Sequence, residues 1–205
     1  MTAYEMAFEG LDRDAGLEIA ELSHKERPRV DGMGYFYGEL DHRSVTEIVK
    51  AVRPEEGDVF VDLGSGLGKM VLSTALQDVA WGECRGCEIL PELHEKALVA
   101  LEKLQAALGR EGLPSCTLEL GDMMRAKVDD ATVVFVFATC FQPAFMAALE
   151  SKLGAEMKPG SRLVLVSKQV QSNKFRPYGA NDGYLCVRQS FDSKWSLDCF
   201  VYQKT

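Results

Sequence analysis

Two carboxylates flank a glycine-rich turn in the first half of the chain. The turn consists of Gly64, Ser65, Gly66, Leu67 and Gly68. Asp62 stands just before it, and Glu88 follows Gly66 by 22 residues. Glycines let a backbone bend tightly and approach a ligand without a Cβ in the way. A carboxylate at the position of Glu88 can accept hydrogen bonds from both hydroxyls of a ribose, and Asp62 can bind an ammonium group directly or through water. The pattern therefore predicts a site for a nucleoside that carries an ammonium.

The glycine spacing separates two classes of nucleotide cofactor. Dinucleotide-binding turns follow G-x-G-x-x-G, which would need glycine at position 69, where this chain has lysine. The glycines at 64, 66 and 68 follow G-x-G-x-G instead. A further acidic group, Asp122, precedes Met123 after a later apolar run and is expected near the adenine end. Together these features favour S-adenosylmethionine over a dinucleotide as the cofactor.

Strands and helices alternate around this turn. The residue pattern predicts strands over residues 58–63, 83–89, 116–120, 132–138 and 162–167, and helices over 67–80, 91–108 and 144–153. Ser44 and Glu47 predict a capping box on an earlier helix. Residues 184–191 and 195–202 predict an antiparallel C-terminal hairpin. The alternation predicts an α/β, Rossmann-like fold with a seven-strand, mostly parallel sheet and helices on both faces.

The 205 residues fit one domain with an N-terminal extension. Residues 1–40 are predicted to be a prelude of helices and loops that contributes to a lid over the cofactor. Residues 41–205 are predicted to form the S-adenosylmethionine-dependent methyltransferase domain.

Composition narrows the classes of partner. The net charge is −8, with 23 Lys and Arg against 31 Asp and Glu, and no basic block is present. Direct nucleic-acid binding is therefore not expected, since it depends on cations that meet phosphates; a lysine-bearing protein suits the charge better. Without an apolar run of about 18 residues or a signal-peptide layout, no membrane association is expected. An intracellular location, cytoplasmic or nuclear, is predicted.

The six cysteines do not indicate a metal centre. Cys84 and Cys87 form a C-x-x-C pair, but no second ligand pair stands at a compatible spacing. We predict no metal site.

Several stretches resemble the disruptor-of-telomeric-silencing family of histone-lysine methyltransferases, which are class I enzymes without a SET domain. Tyr37-Gly38-Glu39 lies upstream of the glycine turn, and the similarity continues through residues 60–68, 86–88 and 158–164, so that it spans about residues 35–168. The resemblance implies that residues 37–40 close over the methionine end of the cofactor. It also implies that Asp122 and Met123 flank the adenine. The residues predicted to bind the cofactor are Tyr37, Gly38, Glu39, Asp62, Gly64, Ser65, Gly66, Gly68, Glu88, Asp122 and Met123.

The same resemblance places Phe141 in a channel for the substrate side chain. Phe137, Tyr35 and Phe36 can add aromatic walls, and an apolar channel lowers the pKa of a lysine acceptor by penalising its charged form. We predict a catalytic centre formed by Tyr37, Phe137 and Phe141.

The predicted function is methyl transfer from S-adenosylmethionine to a protein lysine, histone or non-histone. The family carries two asparagines and then Phe-Ala-Phe in the loop after the fourth strand, whereas residues 137–141 here read Phe-Ala-Thr-Cys-Phe. Because the amides are replaced, two alternatives stay open. One is a methyltransferase for a small molecule, and the other is a non-catalytic module that binds S-adenosylmethionine.

Overall fold

The computed structural model describes residues 1–25, 37–189 and 196–205. Its α-helices are α1 (Ala3–Ala7), α2 (Arg13–Lys25), α3 (His42–Val52), α4 (Lys69–Ala75), α5 (Pro91–Leu108) and α6 (Pro143–Glu156). Its strands are β1 (Val59–Leu63), β2 (Glu83–Glu88), β3 (Ser115–Leu120), β4 (Val133–Phe137), β5 (Arg162–Val166), β6 (Phe175–Pro177), β7 (Tyr184–Arg188) and β8 (Ser196–Lys204). The predicted wall residues Tyr35 and Phe36 lie outside the described residues, as does the tip of the predicted hairpin.

One sheet contains all the described strands. Its order is β3-β2-β1-β4-β5-β8-β6, with β7 also paired to β8. Strands β1 to β5 are parallel, and β8 runs antiparallel to β5. Both β6 and β7 pair antiparallel with the outer side of β8, β6 at residues 202–204 and β7 at residues 196–200. They form one interrupted strand, so eight strands occupy seven positions. The predicted α/β class, the mostly parallel sheet and the antiparallel hairpin are confirmed.

The sheet residues alternate between two hydrophobic layers. Phe60 and Phe135 pack in a cluster with buried residues of α1 to α5. Val61 and Val134 pack in a second cluster with α6, whose Leu149 is fully buried. A period of two sends neighbouring strand residues to opposite faces, so helices cover both sides of the sheet, as predicted.

The described helices of the prelude belong to the first of these layers. Helices α1 and α2 contact α5, and Ala7, Phe8 and Ala20 are buried in the same cluster as the sheet. Residues 1–25 therefore share a core with the rest of the chain.

The predicted capping box of α3 is wrong. The helix begins at His42, and the side chain of Asp41 accepts a hydrogen bond from the backbone N–H of Ser44 at 2.7 Å. Ser44 lies inside the helix and is buried, where its Oγ accepts from the backbone N–H of Arg188 at 2.8 Å. A tertiary contact therefore uses the hydroxyl that sequence alone assigned to the cap.

The helix predicted over 67–80 is shorter at both ends. Gly66 and Gly68 have φ angles of +54° and +77°, a left-handed conformation that cannot continue into a helix, so α4 begins at Lys69. After Ala75 the chain turns and buries Trp81, whose ring lies 5.9 Å from that of Phe60. Trp81, which is 5% exposed, therefore lies outside the helix.

Candidate functional site

Two adjoining clefts open at the carboxyl ends of the parallel strands. They enclose about 740 Å³ and about 470 Å³, including their open mouths, and they share Tyr37, Gly38, Gly64 and Phe137. In open α/β sheets this edge is where ligands bind. The larger cleft also contains the predicted residues Glu88, Asp122, Met123 and Phe141, and the smaller contains Glu39, Asp62, Ser65 and Gly66. Among the predicted site residues that the structure describes, Gly68 alone lines neither cleft; it forms the N-terminal cap of α4.

The glycine turn lies close against its neighbours. The backbone N–H groups of Gly64 and Ser65 donate to the carbonyl oxygen of Cys87 at 2.8 and 3.0 Å, which ties the turn to the end of β2. A Cβ added at Gly66 would lie 2.7 Å from Cε2 of Tyr37. Such a contact is too short for any side chain, so the close approach requires glycine.

The carboxylate of Glu88 is fixed by the backbone. Its Oε2 accepts from the N–H of Gly66 at 2.7 Å, and its Oε1 accepts from the N–H of Leu90 at 2.8 Å. Glu88 is buried, and this burial raises its pKa although the backbone N–H groups act in the opposite direction. Each carboxylate oxygen has a second lone pair. The side chain is therefore held in a fixed orientation with capacity for two more donors, such as two adjacent hydroxyls.

Asp62 presents a buried acceptor. Its side chain is 2% exposed, and its Oδ1 has no hydrogen-bond partner among the described residues. Burial, and secondarily the charge of Glu88, raise the pKa of Asp62 well above its ordinary value. A buried acceptor without a donor is unfavourable, and a ligand ammonium would supply both a donor and a compensating charge. The arrangement fits S-adenosylmethionine, which has an ammonium at one end and a ribose in the middle.

Replacement of Asp62 should have opposite effects on stability and on binding. Because the pKa of Asp62 is raised in the folded state, stability is lost as the pH rises from about 4 towards that raised pKa. Without cofactor, Asp62→Asn should therefore melt at least about 2 °C above the unsubstituted chain at pH 7, and the difference should shrink towards pH 4. Its affinity for S-adenosylmethionine should fall about tenfold or more. Calorimetric melting at both pH values and titration calorimetry measure the two effects.

Asp129→Asn is the matched control, since its side chain is 61% exposed. Asp129→Asn should change neither the melting temperature nor the affinity for S-adenosylmethionine. Identical melting of Asp62→Asn and the unsubstituted chain at pH 7 would contradict the account of Asp62.

The segment before α3 contacts the first residue of α4 through a carboxylate that two donors share. The hydroxyl of Tyr37 donates to Oε1 of Glu39 at 2.7 Å, and Nζ of Lys69 lies 2.7 Å from the same oxygen. Tyr37 and Glu39 are buried, and burial with the nearby Glu39 charge raises the pKa of Tyr37 well above its ordinary value. Sequence reasoning did not select Lys69 as a site residue. The feature of the sequence that could have indicated Lys69 is its position directly after the last glycine of the turn.

The far end of the larger cleft is mostly apolar. Oδ1 of Asp122 accepts from the backbone N–H of Met124 at 2.8 Å, which shapes the turn that contains Met123. Phe141 is 7% exposed and packs edge-on against Phe145, with ring centroids 4.8 Å apart. Sequence reasoning missed further residues that line this cleft, which are Ala20, Cys87, Ile89, Leu90, Leu93 and Cys140. As apolar residues or cysteines they carried no signal that separates a cleft from a core.

A family model described as "Histone methylation protein DOT1" matches residues 29–184. The chain belongs to this family. The match covers the glycine turn, both carboxylates and every predicted site residue, so all the residues that line the two clefts except Ala20 lie within the part of the chain that matches the DOT1 family.

Curated relatives are similar over much of this chain but are much longer. A Caenorhabditis elegans protein named "Histone-lysine N-methyltransferase, H3 lysine-79 specific" is 29% identical over 149 residues, which are 67% of this chain and 15% of that protein. A Cryptococcus neoformans protein of the same name is 40% identical over 178 residues, which are 82% of this chain and 27% of that protein. The chain thus spans about a quarter or less of the length of these two relatives.

A solved structure shows the same fold. The crystal structure of an RNA methyltransferase from Salinibacter ruber in complex with S-adenosyl-L-homocysteine has a TM-score of 0.56 and 22% identity, and the match covers 79% of this chain and 90% of that chain. This member of the DOT1 family therefore has the class I methyltransferase fold. No helix in the described part of the chain is long and apolar enough to cross a membrane.

Proposed function

We propose that the chain is an S-adenosylmethionine-dependent methyltransferase that acts on a protein lysine side chain. The observation that carries the proposal is the pairing of two carboxylates on neighbouring strands. Asp62 of β1 offers a buried acceptor without a donor, and Glu88 of β2 offers a carboxylate whose orientation the backbone fixes. An ammonium and a vicinal diol on one ligand satisfy both. The family membership and the names of the two relatives support the same activity.

The cofactor set predicted from the sequence is proposed as the binding site. When bound, S-adenosylmethionine supplies a methyl group on a sulfonium. Asp62 would hold the ammonium, Glu88 would hold the ribose hydroxyls, and Asp122 with Met123 would flank the base. Because transfer from a sulfonium is an in-line displacement, the chain mainly has to align the two reactants, and orientation of this kind can supply about 7–11 kcal/mol.

The aromatic residues beside the cleft are proposed to prepare the acceptor. A free lysine amine has a pKa of about 10.4 and is charged at neutral pH, whereas only the neutral amine can accept a methyl group. Phe137 and Phe141 both line the larger cleft. Their apolar surfaces penalise the charged amine and so favour its deprotonated form. Tyr37, whose ring lies over Gly66, completes the proposed catalytic centre.

The acceptor is proposed to be a lysine in a protein, and a histone is the first candidate. The two relatives are named for a histone H3 lysine, and the net charge of −8 suits a cationic substrate better than a nucleic acid. A nuclear or cytoplasmic location follows from such a substrate. Residues 1–40 are proposed to contribute to the lid, since Ala20 and Tyr37 already line the larger cleft, and residues 41–205 are proposed to form the catalytic domain.

Transfer of a labelled methyl group tests the function. The chain is incubated with S-adenosylmethionine labelled in the methyl group and with histones, nucleosomes or a cell extract, and Glu88→Ala serves as the inactive control. We expect label in lysine residues of protein, found by amino-acid analysis, and about a hundredfold less label with Glu88→Ala.

Other results of this assay would replace the proposal. Label in extractable metabolites would indicate a small-molecule methyltransferase. Cofactor binding without label in any fraction would indicate a non-catalytic binding module. Absence of cofactor binding would overturn the site itself.

A further inference from the structure

We propose that Lys69 is a positioning residue that holds residues 37–40 against the cofactor site through its ion pair with Glu39. The inference rests on the proposed function, because it gives a role to a residue at the same site. It concerns how the segment stays closed, which the glycine turn and the two carboxylates do not explain.

The ion pair is shielded from solvent. Nζ of Lys69 lies 2.7 Å from Oε1 of Glu39, and the two side chains are 17% and 4% exposed. Charges that are removed from water attract each other more strongly than surface charges do. The same carboxylate oxygen accepts from the hydroxyl of Tyr37 at 2.7 Å. Oε1 of Glu39 therefore binds Tyr37 within residues 37–40 and also connects these residues with α4.

The position of Lys69 in its helix indicates a tertiary role. It is the first residue of α4, directly after Gly68. The first turn of a helix favours anions over cations, so a lysine there contributes little to the helix itself. Its Nζ also lies 5.5 Å from the ring centroid of Phe8, the C-cap residue of α1, within the range of a cation–π contact. Lys69 thus connects α4 with α1 and with the segment that contains Glu39.

The ring of Tyr37 limits how the segment can move. A Cβ added at Gly16 would lie 2.3 Å from Cε1 of Tyr37, and one added at Gly66 would lie 2.7 Å from its Cε2. The ring is therefore held between α2 and the glycine turn. Loss of Lys69 would leave Glu39 charged and buried with a weaker set of partners, which favours movement of the carboxylate towards water. Because Tyr37 donates to that carboxylate, movement of Glu39 would break this hydrogen bond as well. Residues 37–40 would then move away from the cofactor site.

Hydrogen exchange without cofactor tests this directly. In Lys69→Met, which keeps an unbranched side chain that is one atom shorter and removes its charge, the amides of residues 38–41 should exchange about tenfold faster than in the unsubstituted chain. In Lys69→Arg they should exchange at close to the original rate. The amides of β4 act as an internal control and should be unchanged in both variants. Equal exchange of residues 38–41 in Lys69→Met and the unsubstituted chain would overturn the proposal.

A double-mutant cycle distinguishes positioning from direct contact with the ligand. Titration calorimetry with S-adenosylhomocysteine should show about tenfold weaker binding for Lys69→Met, and little further loss when the same change is made in Glu39→Gln. Additive losses would mean that Lys69 contacts the ligand itself, which would overturn the proposal. If the unsubstituted chain binds no S-adenosylhomocysteine, the proposed function fails, and the exchange experiment still decides the role of Lys69.

Discussion

Glu88→Ala is expected to weaken the binding of S-adenosylmethionine by about a hundredfold or more. The substitution would remove the carboxylate and, with it, two charge-assisted hydrogen bonds to the ribose hydroxyls, each worth about 1.5–3 kcal/mol. It would also leave the N–H groups of Gly66 and Leu90 without their acceptor, so the glycine turn would lose one of its contacts with β2, while its hydrogen bonds to the carbonyl of Cys87 would remain. Titration calorimetry with S-adenosylmethionine measures the loss, and methyl transfer should fall with it.

Glu119→Ala provides the matched control for this substitution. Glu119 lies on the neighbouring strand β3 with an exposed side chain. Its replacement by alanine therefore removes the same charge from the chain without changing the cleft. Its affinity for S-adenosylmethionine should stay within about twofold of the unsubstituted chain. Affinities that fall equally in the two variants would assign the effect to net charge and refute the role of Glu88.

Gly66→Ala is expected to reduce both stability and cofactor binding. Gly66 has φ of +54°, which costs a residue with a Cβ about 1–2 kcal/mol. The added Cβ would also lie 2.7 Å from the ring of Tyr37, and that ring cannot retreat because Gly16 holds its other edge. Overpacking of this kind costs about 1–3 kcal/mol more. We expect the free energy of unfolding to fall by about 2–5 kcal/mol in total, and the affinity for S-adenosylmethionine to fall at least about tenfold, measured by denaturant unfolding and calorimetry.

Gly57→Ala separates the backbone effect from the contact with Tyr37. Gly57 has a φ of +83°, and a Cβ added there would meet no atom within 4 Å. Only the backbone term remains, about 1–2 kcal/mol, and cofactor binding should be unchanged. If Gly57→Ala and Gly66→Ala lose equal stability and both keep full affinity, the close packing of Tyr37 on the turn has no functional importance.

The fold and the centre of the site could be predicted because their signals are local. Asp62, the glycine turn and Glu88 stand at the ends of two predicted strands, and in a parallel sheet the carboxyl ends of adjacent strands meet at one edge. Their positions in the sequence are therefore sufficient to predict that these residues lie close together. The roles of these residues in binding stay predictions until the cofactor is measured on the protein.

Features that depend on distant contacts could not be predicted. Ser44 looked like a helix cap, but its hydroxyl contacts Arg188, 144 residues away along the chain. Strand β6 has three residues and ends in a proline, so it lacks the alternation that marks a strand and exists through its pairing with β8. The ion pair of Lys69 with Glu39 connects a helix with a segment outside the helices and strands, so no repeating pattern in the sequence indicates it. In each case tertiary structure, rather than the local sequence, decides the outcome.

The interruption between β6 and β7 has a consequence for the behaviour of the protein in concentrated solution. A long, regular outer strand presents a row of unpaired N–H and C=O groups to which strands of other molecules can add. Here Pro177 has no N–H group, and Asn181 and Asp182 adopt left-handed conformations that break the row between the two short strands. The edge formed by β6 and β7 therefore offers a poorer template for intermolecular β-pairing than a regular strand of the same length would.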